Sequence, residues 1–199
     1  MKECGLSENL VTVPLFGMIT RLTEQKGIDL LQSVLNDDFF QRGALVMLGN
    51  GDIKYQDYFI QLAKRYPERV FVKTQFDVGL SHRIEAGIDF FLMPSRFEPC
   101  GLNQIYSLKY GTVPIVRATG GLDDTIMEFS PDELKGNGFK FLENTPDAFQ
   151  ASITQALQIF HRPAVFQELI KNCMKCDYSW EQSALKYQEL YLHYIERDL

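Results

Sequence analysis

The chain has 199 residues, 45% hydrophobic and 23% charged, enough for one domain around one substantial core. Its net charge of −6 gives the surface no general attraction for nucleic acid or anionic membrane, so an anionic ligand must be caught by local cations and backbone N–H groups. There is no apolar run of about 18 residues and no signal-peptide core in MKECGLSENL, and four irregularly spaced cysteines form no disulfide framework; a reducing cytoplasm is the expected setting.

In chain order, the first strand is predicted at 13–19 (VPLFGMI), followed by a polar crossover, Thr20–Gly27, and a helix over 27–36. The second strand, 44–48 (ALVML), runs into Gly49–Asp52 and a helix over 54–66. The third, 69–73, precedes a helix at 80–87; the fourth, 88–93, runs into Pro94–Leu102 and a helix at 102–110. The fifth, 113–117, is followed by Ala118–Leu122 and a helix over 122–129, and the sixth lies at 138–142. Several of these runs are apolar almost throughout, as strands are when helices cover both faces of a sheet. The alternation predicts an α/β fold, a doubly wound parallel sheet of about six Rossmann-like strands. Three helices follow, about 146–160, 163–175 and 180–196, with Pro146 and Pro163 at their starts. With no repeat or linker, residues 1–199 read as one domain.

In such a sheet the ligand lies beyond the carboxyl ends of the strands, where the polar and Gly-rich segments collect. Arg21 and Lys26 occupy the first crossover, where a diphosphate could meet two cations and helix N–H groups; the same pair could also be solvated on a loop. LGNGD (48–52) is not a dinucleotide fingerprint, because Lys54 stands in place of the third glycine and the segment follows the second strand. It reads as a tight turn, and NAD is excluded.

Glu98 sits in PSRFEPCGLNQ (94–104), with Pro99, Cys100 and Gly101 leading into a helix whose N–H groups could hold an anion or a sugar hydroxyl. A glycosidase needs two carboxylates, and Glu98 has no evident second partner, so transfer from a good leaving group fits better than hydrolysis. A helix-start carboxylate held by the dipole is the plainer alternative. In ATGGLDDT (118–125) paired glycines permit close approach of backbone to a ligand or simply a tight turn. Cys173 and Cys176 read as structural thiols, since no second pair completes a zinc set. His82, His161 and His193 show no metal-like spacing, and only His82 lies near a polar strand end.

Together these residues resemble a known family. GMITRLTEQKGIDLL, SHRIEAGIDFFLMPSRFEPCGLNQIYSLKYGTVPIVRATGGLDDT and YSWEQSALKYQELY are similar to the C-terminal half of bacterial glycogen synthases and plant starch synthases, from about residue 13 to 195. The resemblance implies a GT-B architecture of two facing Rossmann-like domains. It further implies a retaining transferase that adds glucose from ADP-glucose to an α-1,4-glucan, with no metal or cofactor required. Residue by residue, it implies that Arg21 and Lys26 hold the donor diphosphate, with Thr119, Gly120 and Gly121 as backbone near the phosphates. Glu98 would face the glucosyl group as the catalytic acidic residue, with Cys100, Gly101, Leu102 and Gln104 around the sugar. Phe76 stands where the family usually has a tyrosine beside the adenine; stacking needs only the ring. The family's N-terminal domain is absent from this sequence, so the chain is expected to bind ADP and ADP-glucose but not to extend glucan alone. Its last helix would cross towards that domain and expose Trp180, Leu190, Tyr191, Tyr194 and Ile195. The expected compartment is the cytoplasm, or the plastid in a plant. Two alternatives remain at this point: a UDP-glucose-dependent GT-B domain, and a non-catalytic nucleotide-sugar-binding or assembly domain.

Overall fold

The computed structural model describes residues 2–7, 10 and 12–197. Its centre is a six-stranded, wholly parallel sheet: β1 (Leu15–Ile19), β2 (Ala44–Leu48), β3 (Val70–Lys73), β4 (Phe90–Met93), β5 (Val113–Arg117) and β6 (Phe139–Phe141), in the order β3-β2-β1-β4-β5-β6. All six predicted strands are present. Every residue of β1, β2 and β4 is buried, which explains their unbroken apolar sequences: both faces are covered. At the two edges the pattern relaxes, with half-buried residues in β3 and one in β6.

Around the sheet lie α1 (Ile28–Val34), α2 (Asp37–Arg42), α3 (Ile53–Arg65), α4 (Val78–Gly87), α5 (Asn103–Tyr110), α6 (Gly121–Thr125), α7 (Pro146–Phe160), α8 (Pro163–Lys175) and α9 (Trp180–Arg197). Pro146 and Pro163 each stand in the first turn of their helix, as expected of a residue with no N–H to lose. Helix α2 is an addition to the sequence reading: Asn36 caps it by accepting from the Phe39 N–H at 3.0 Å, and Asp37 and Asp38 favour its first turn. The helix expected over 122–129 stops at Thr125. Asn137 captures the backbone beyond it, accepting from the Met127 N–H at 2.6 Å and donating to the Thr125 carbonyl at 3.1 Å.

The core is rich in phenylalanine. Phe16 of β1 stacks on Phe90 of the adjacent strand at 5.1 Å between ring centroids, and Phe166 brings α8 onto Phe90 at 5.5 Å. Cys173 is buried in this core, and no group of metal-ligating side chains is found among the described residues; its thiol is pushed upward by desolvation, as for an inert structural cysteine. Helix α9 differs from the others. Its Trp180, Tyr187, Leu190, Tyr191, Tyr194 and Ile195 are all exposed, Trp180 to 86%.

The strand order fixes where a ligand can sit. Chain direction reverses its progress across the sheet between β1 and β4, and a crevice opens above their carboxyl ends.

Candidate functional site

The loops leaving β1 and β4 are joined over that crevice by a dense set of bonds. Gly27, at φ 70°, lies so close to the second loop that a Cβ there would come within 1.9 Å of the Pro94 carbonyl oxygen. The Arg96 N–H donates to the Gln25 carbonyl at 2.8 Å, and the Arg96 guanidinium reaches Asp29 at 2.7 Å and Glu24 at 3.2 Å. From the side of β5, Arg117 donates to the Ser95 carbonyl at 2.8 Å and to the Arg96 carbonyl. The backbone that carries Glu98 is therefore held before any ligand arrives.

Lys26 and Glu98 meet across this seam, Nζ to Oε2 at 2.5 Å, with side chains only 17% and 10% exposed. The Ser95 hydroxyl adds a 3.3 Å bond to the same carboxylate oxygen. The two residues singled out from separate motifs thus form one charged centre. Lysine has three donors, so Lys26 can keep Glu98 and still donate to an incoming anion.

Two hollows flank the pair. The larger, about 520 Å³, is lined by Arg21, Lys26, Asn50, Phe76, His82 and Tyr106 among others. The smaller, about 100 Å³, is lined by Lys26, Ser95, Glu98, Gly101, Leu102 and Asn103. Lys26 and Asn103 belong to both walls, so the hollows are neighbouring parts of one cleft. Arg21 is exposed and makes no ion pair among the described residues, which leaves its guanidinium available to an anion. The Phe76 ring is 63% exposed beside the larger hollow, an accessible face for a planar group.

The remaining expected residues take supporting places. Gln104 is wholly buried and lines neither hollow; its Nε2 donates to the Cys100 carbonyl at 3.0 Å and the Gly101 carbonyl at 3.1 Å. It holds the loop from beneath. Gly101, at φ 73°, leaves no room for a side chain, since a Cβ would stand 2.5 Å from Gln104 Oε1. Cys100 is exposed but outside both linings, with Sγ bonded to the Gly101 carbonyl at 3.3 Å. Thr119, Gly120 and Gly121 also lie outside both linings. The Gly121 N–H is already spent on the Glu98 and Pro99 carbonyls, at 3.1 and 3.3 Å. A Cβ at Gly120 or Gly121 would come within 2.3 Å of the Glu98 carbonyl or 2.2 Å of the Cys100 carbonyl. These glycines let α6 approach the Glu98 loop. The glycines of LGNGD do the same for β1 and β2, with a Cβ at Gly49 falling 1.9 Å from the Thr20 carbonyl.

Sequence reasoning placed Gly49–Asp52, and with it Asn50, at the ligand edge, but did not assign Ser81, Glu85, Asn103 or Tyr106 to the cleft. Val78, Ser81, His82 and Glu85 follow i, i+3, i+4, i+7 spacing, one face of α4, and that spacing was the available signal. Asn103 donates to the Ile19 carbonyl at 2.8 Å, tying α5 to the end of β1.

With the geometry in place, comparisons with known proteins agree with it. A family model described as "Glycosyl transferases group 1" matches residues 7–171. A glycogen synthase of Koribacter versatilis is 47% identical over 191 residues, 96% of this chain and 39% of that protein. One from Anaeromyxobacter sp. (strain K) is 50% identical over 179 residues, 90% of this chain and 38% of that protein. Among solved structures, the catalytic domain of starch synthase IV from Arabidopsis thaliana, bound to ADP and acarbose, superposes with a TM-score of 0.85 at 34% identity, covering 96% of this chain and 40% of that one. The chain therefore spans about two fifths of the length of the curated relatives it matches.

Proposed function

The chain belongs to the group 1 glycosyl transferases, and from that premise we propose that it is the donor-binding domain of a retaining glucosyltransferase of the glycogen or starch synthase type. In this reading it takes glucose from ADP-glucose and, together with a facing N-terminal domain, passes it to an α-1,4-glucan. The observation that carries the reading is the Lys26–Glu98 pair at 2.5 Å, set at the reversal point of the sheet between two hollows. One hollow offers cations and an exposed ring; the other offers a carboxylate beside Gly101 and Leu102.

Each residue then has a task. Arg21 and Lys26 bind the diphosphate and stabilise the charge that grows on it as the glycosidic bond breaks. Glu98 faces the glucosyl group and stabilises the cationic character that develops at its anomeric carbon, while Lys26 and Ser95 fix the carboxylate's orientation. Gly101 and Leu102 shape the sugar side, and Gln104 holds their backbone. Phe76 supplies a stacking face for adenine. Charge neutralisation in this proposal comes from side chains, without a metal ion or cofactor. The exposed face of α9, with Trp180, Tyr187, Tyr191 and Tyr194, is where the facing domain would pack.

Glycosyl transfer also needs an acceptor hydroxyl held against the anomeric carbon, with water excluded by closure of two domains. The test is glucan extension by the chain alone and after addition of a separately expressed N-terminal half. Activity only in the mixture, abolished by Glu98→Gln with ADP binding retained, is the expected result. Robust extension by the chain alone contradicts the two-domain reading.

A further inference from the structure

The larger hollow contains an acid that the proposed mechanism leaves unused. Glu85 lies on the face of α4 that lines the hollow, together with Ser81 and His82, opposite Asn103 and Tyr106 of α5. Its side chain is only 3% exposed, yet Oε2 has no hydrogen-bond partner. His82 Nδ1 stands 3.6 Å from that oxygen, close enough for a loose ion pair when the imidazole is protonated but too far for a hydrogen bond, and the imidazole itself is 54% exposed. Burial pushes the Glu85 carboxyl upward from the ordinary glutamate value, with the nearby His82 acting in the opposite sense. A buried polar atom without a partner is costly, and a protein retains one where a ligand or other group completes it.

We propose that Glu85 is the ribose-recognition residue of the donor site, its carboxylate accepting hydrogen bonds from the vicinal 2′- and 3′-hydroxyls of a nucleoside diphosphate. The inference rests on the donor-site reading above and assigns the middle of the same ligand. The diphosphate has Arg21 and Lys26 and the base has Phe76, all on the wall of the hollow that also contains Glu85. What joins phosphate to base in a nucleotide is the ribose, and its cis-diol presents two donors in a fixed geometry matching the two oxygens of one carboxylate. An adenine amino group would offer a single suitably directed donor and leave one oxygen unpaired. The glucosyl group belongs to the other hollow, with Glu98. Oε2 is covered, and in this proposal the exposed His82 ring beside it turns aside as the diol enters.

The experiment is calorimetric titration of the chain with ADP, 2′-deoxy-ADP, IDP and ADP-glucose, for the parent, Glu85→Gln and Glu85→Ala. IDP keeps the ribose and lacks the exocyclic amine of adenine. The parent should prefer ADP to 2′-deoxy-ADP by about tenfold or more, as for loss of a hydrogen bond to a charged group. In Glu85→Ala that ratio should fall to near one, and the ADP-to-IDP ratio should not move. The near-isosteric Glu85→Gln keeps the packing of α4 and should show a reduced ratio, so a folding defect in the alanine variant does not decide the matter. An undiminished ribose-to-deoxyribose ratio in both variants overturns the proposal. A change in the ADP-to-IDP ratio instead assigns Glu85 to the base, and weakening of ADP-glucose alone assigns it to the sugar; either result also overturns it. If ADP binds and Lys26→Ala weakens it while Glu85 variants leave the ribose ratio intact, only this inference fails. If the parent binds no nucleoside diphosphate, the donor-site reading fails and this inference falls with it.

Discussion

Replacing Lys26 with alanine perturbs two things that the structure places in one atom. Nζ is 2.5 Å from Glu98 and lies on the wall of both hollows. Loss of a charge-assisted bond to the diphosphate should cost about 1.5–3 kcal/mol, or roughly 10- to 150-fold in ADP affinity. The same change strands Glu98, whose side chain is 10% exposed and retains only the 3.3 Å contact from Ser95. Breaking a fully buried pair costs about 3–5 kcal/mol and a surface pair about 0–1 kcal/mol; this cleft-wall pair should fall between, at about 2 kcal/mol of unfolding stability. A double-mutant cycle separates the two effects. Lys26→Ala with Glu98→Gln should recover most of the stability, because the amide needs no counter-charge, but only the small part of the ADP affinity that relief of the Glu98 charge returns. Glu98→Gln alone should bind ADP as tightly as the parent or slightly better, since a negative charge near the diphosphate is removed. Calorimetry for ADP and urea unfolding for stability are the assays. If the double variant regains parental ADP affinity, Lys26 acts only by neutralising Glu98, and its assignment to the phosphate is refuted.

Arg21→Ala should weaken ADP by about 1–3 kcal/mol and AMP by less, because AMP lacks the second phosphate; equal losses for both ligands would place Arg21 away from the terminal phosphate. Gly27→Ala should separate the two loops, since its Cβ would meet the Pro94 carbonyl at 1.9 Å, and should lower both thermal stability and ADP affinity; an unchanged variant would show that this seam does not hold the site together. Burial pushes Glu85, Asp89 and Glu128 upward from their ordinary values, so near and above the usual carboxylate range the folded state binds more protons than the unfolded one. Stability should therefore fall as pH rises through that window, and Glu85→Gln should flatten part of the slope; a slope unaffected by the substitution would show that Glu85 titrates alike in both states.

Much of the framework was legible because parallel strands covered on both faces are written as uninterrupted apolar runs, as in LFGMI and ALVML. Lys26 and Glu98 were each recognisable beside a strand end, but their contact depends on β1 and β4 being neighbours, which a separation of 72 positions in the chain conceals. Helix α2 escaped notice because two aspartates and two phenylalanines carry no helical period in so short a segment. Gln104 followed its motif into the sugar group in the sequence reading, and only burial distinguishes holding a loop from touching a ligand. Glu85 is harder still. In RIEAG an acid on a helix reads as solvent-facing, and nothing in the local sequence shows that α5, an element beyond the next strand, packs against α4.

The most direct measurement of the central claim is calorimetric titration of this chain with ADP-glucose, UDP-glucose and NAD at matched concentrations. The account predicts that ADP-glucose binds more tightly than UDP-glucose, that Arg21→Ala and Lys26→Ala each weaken it, and that NAD does not compete. No binding of either nucleotide sugar, or binding indifferent to both cations, would contradict it.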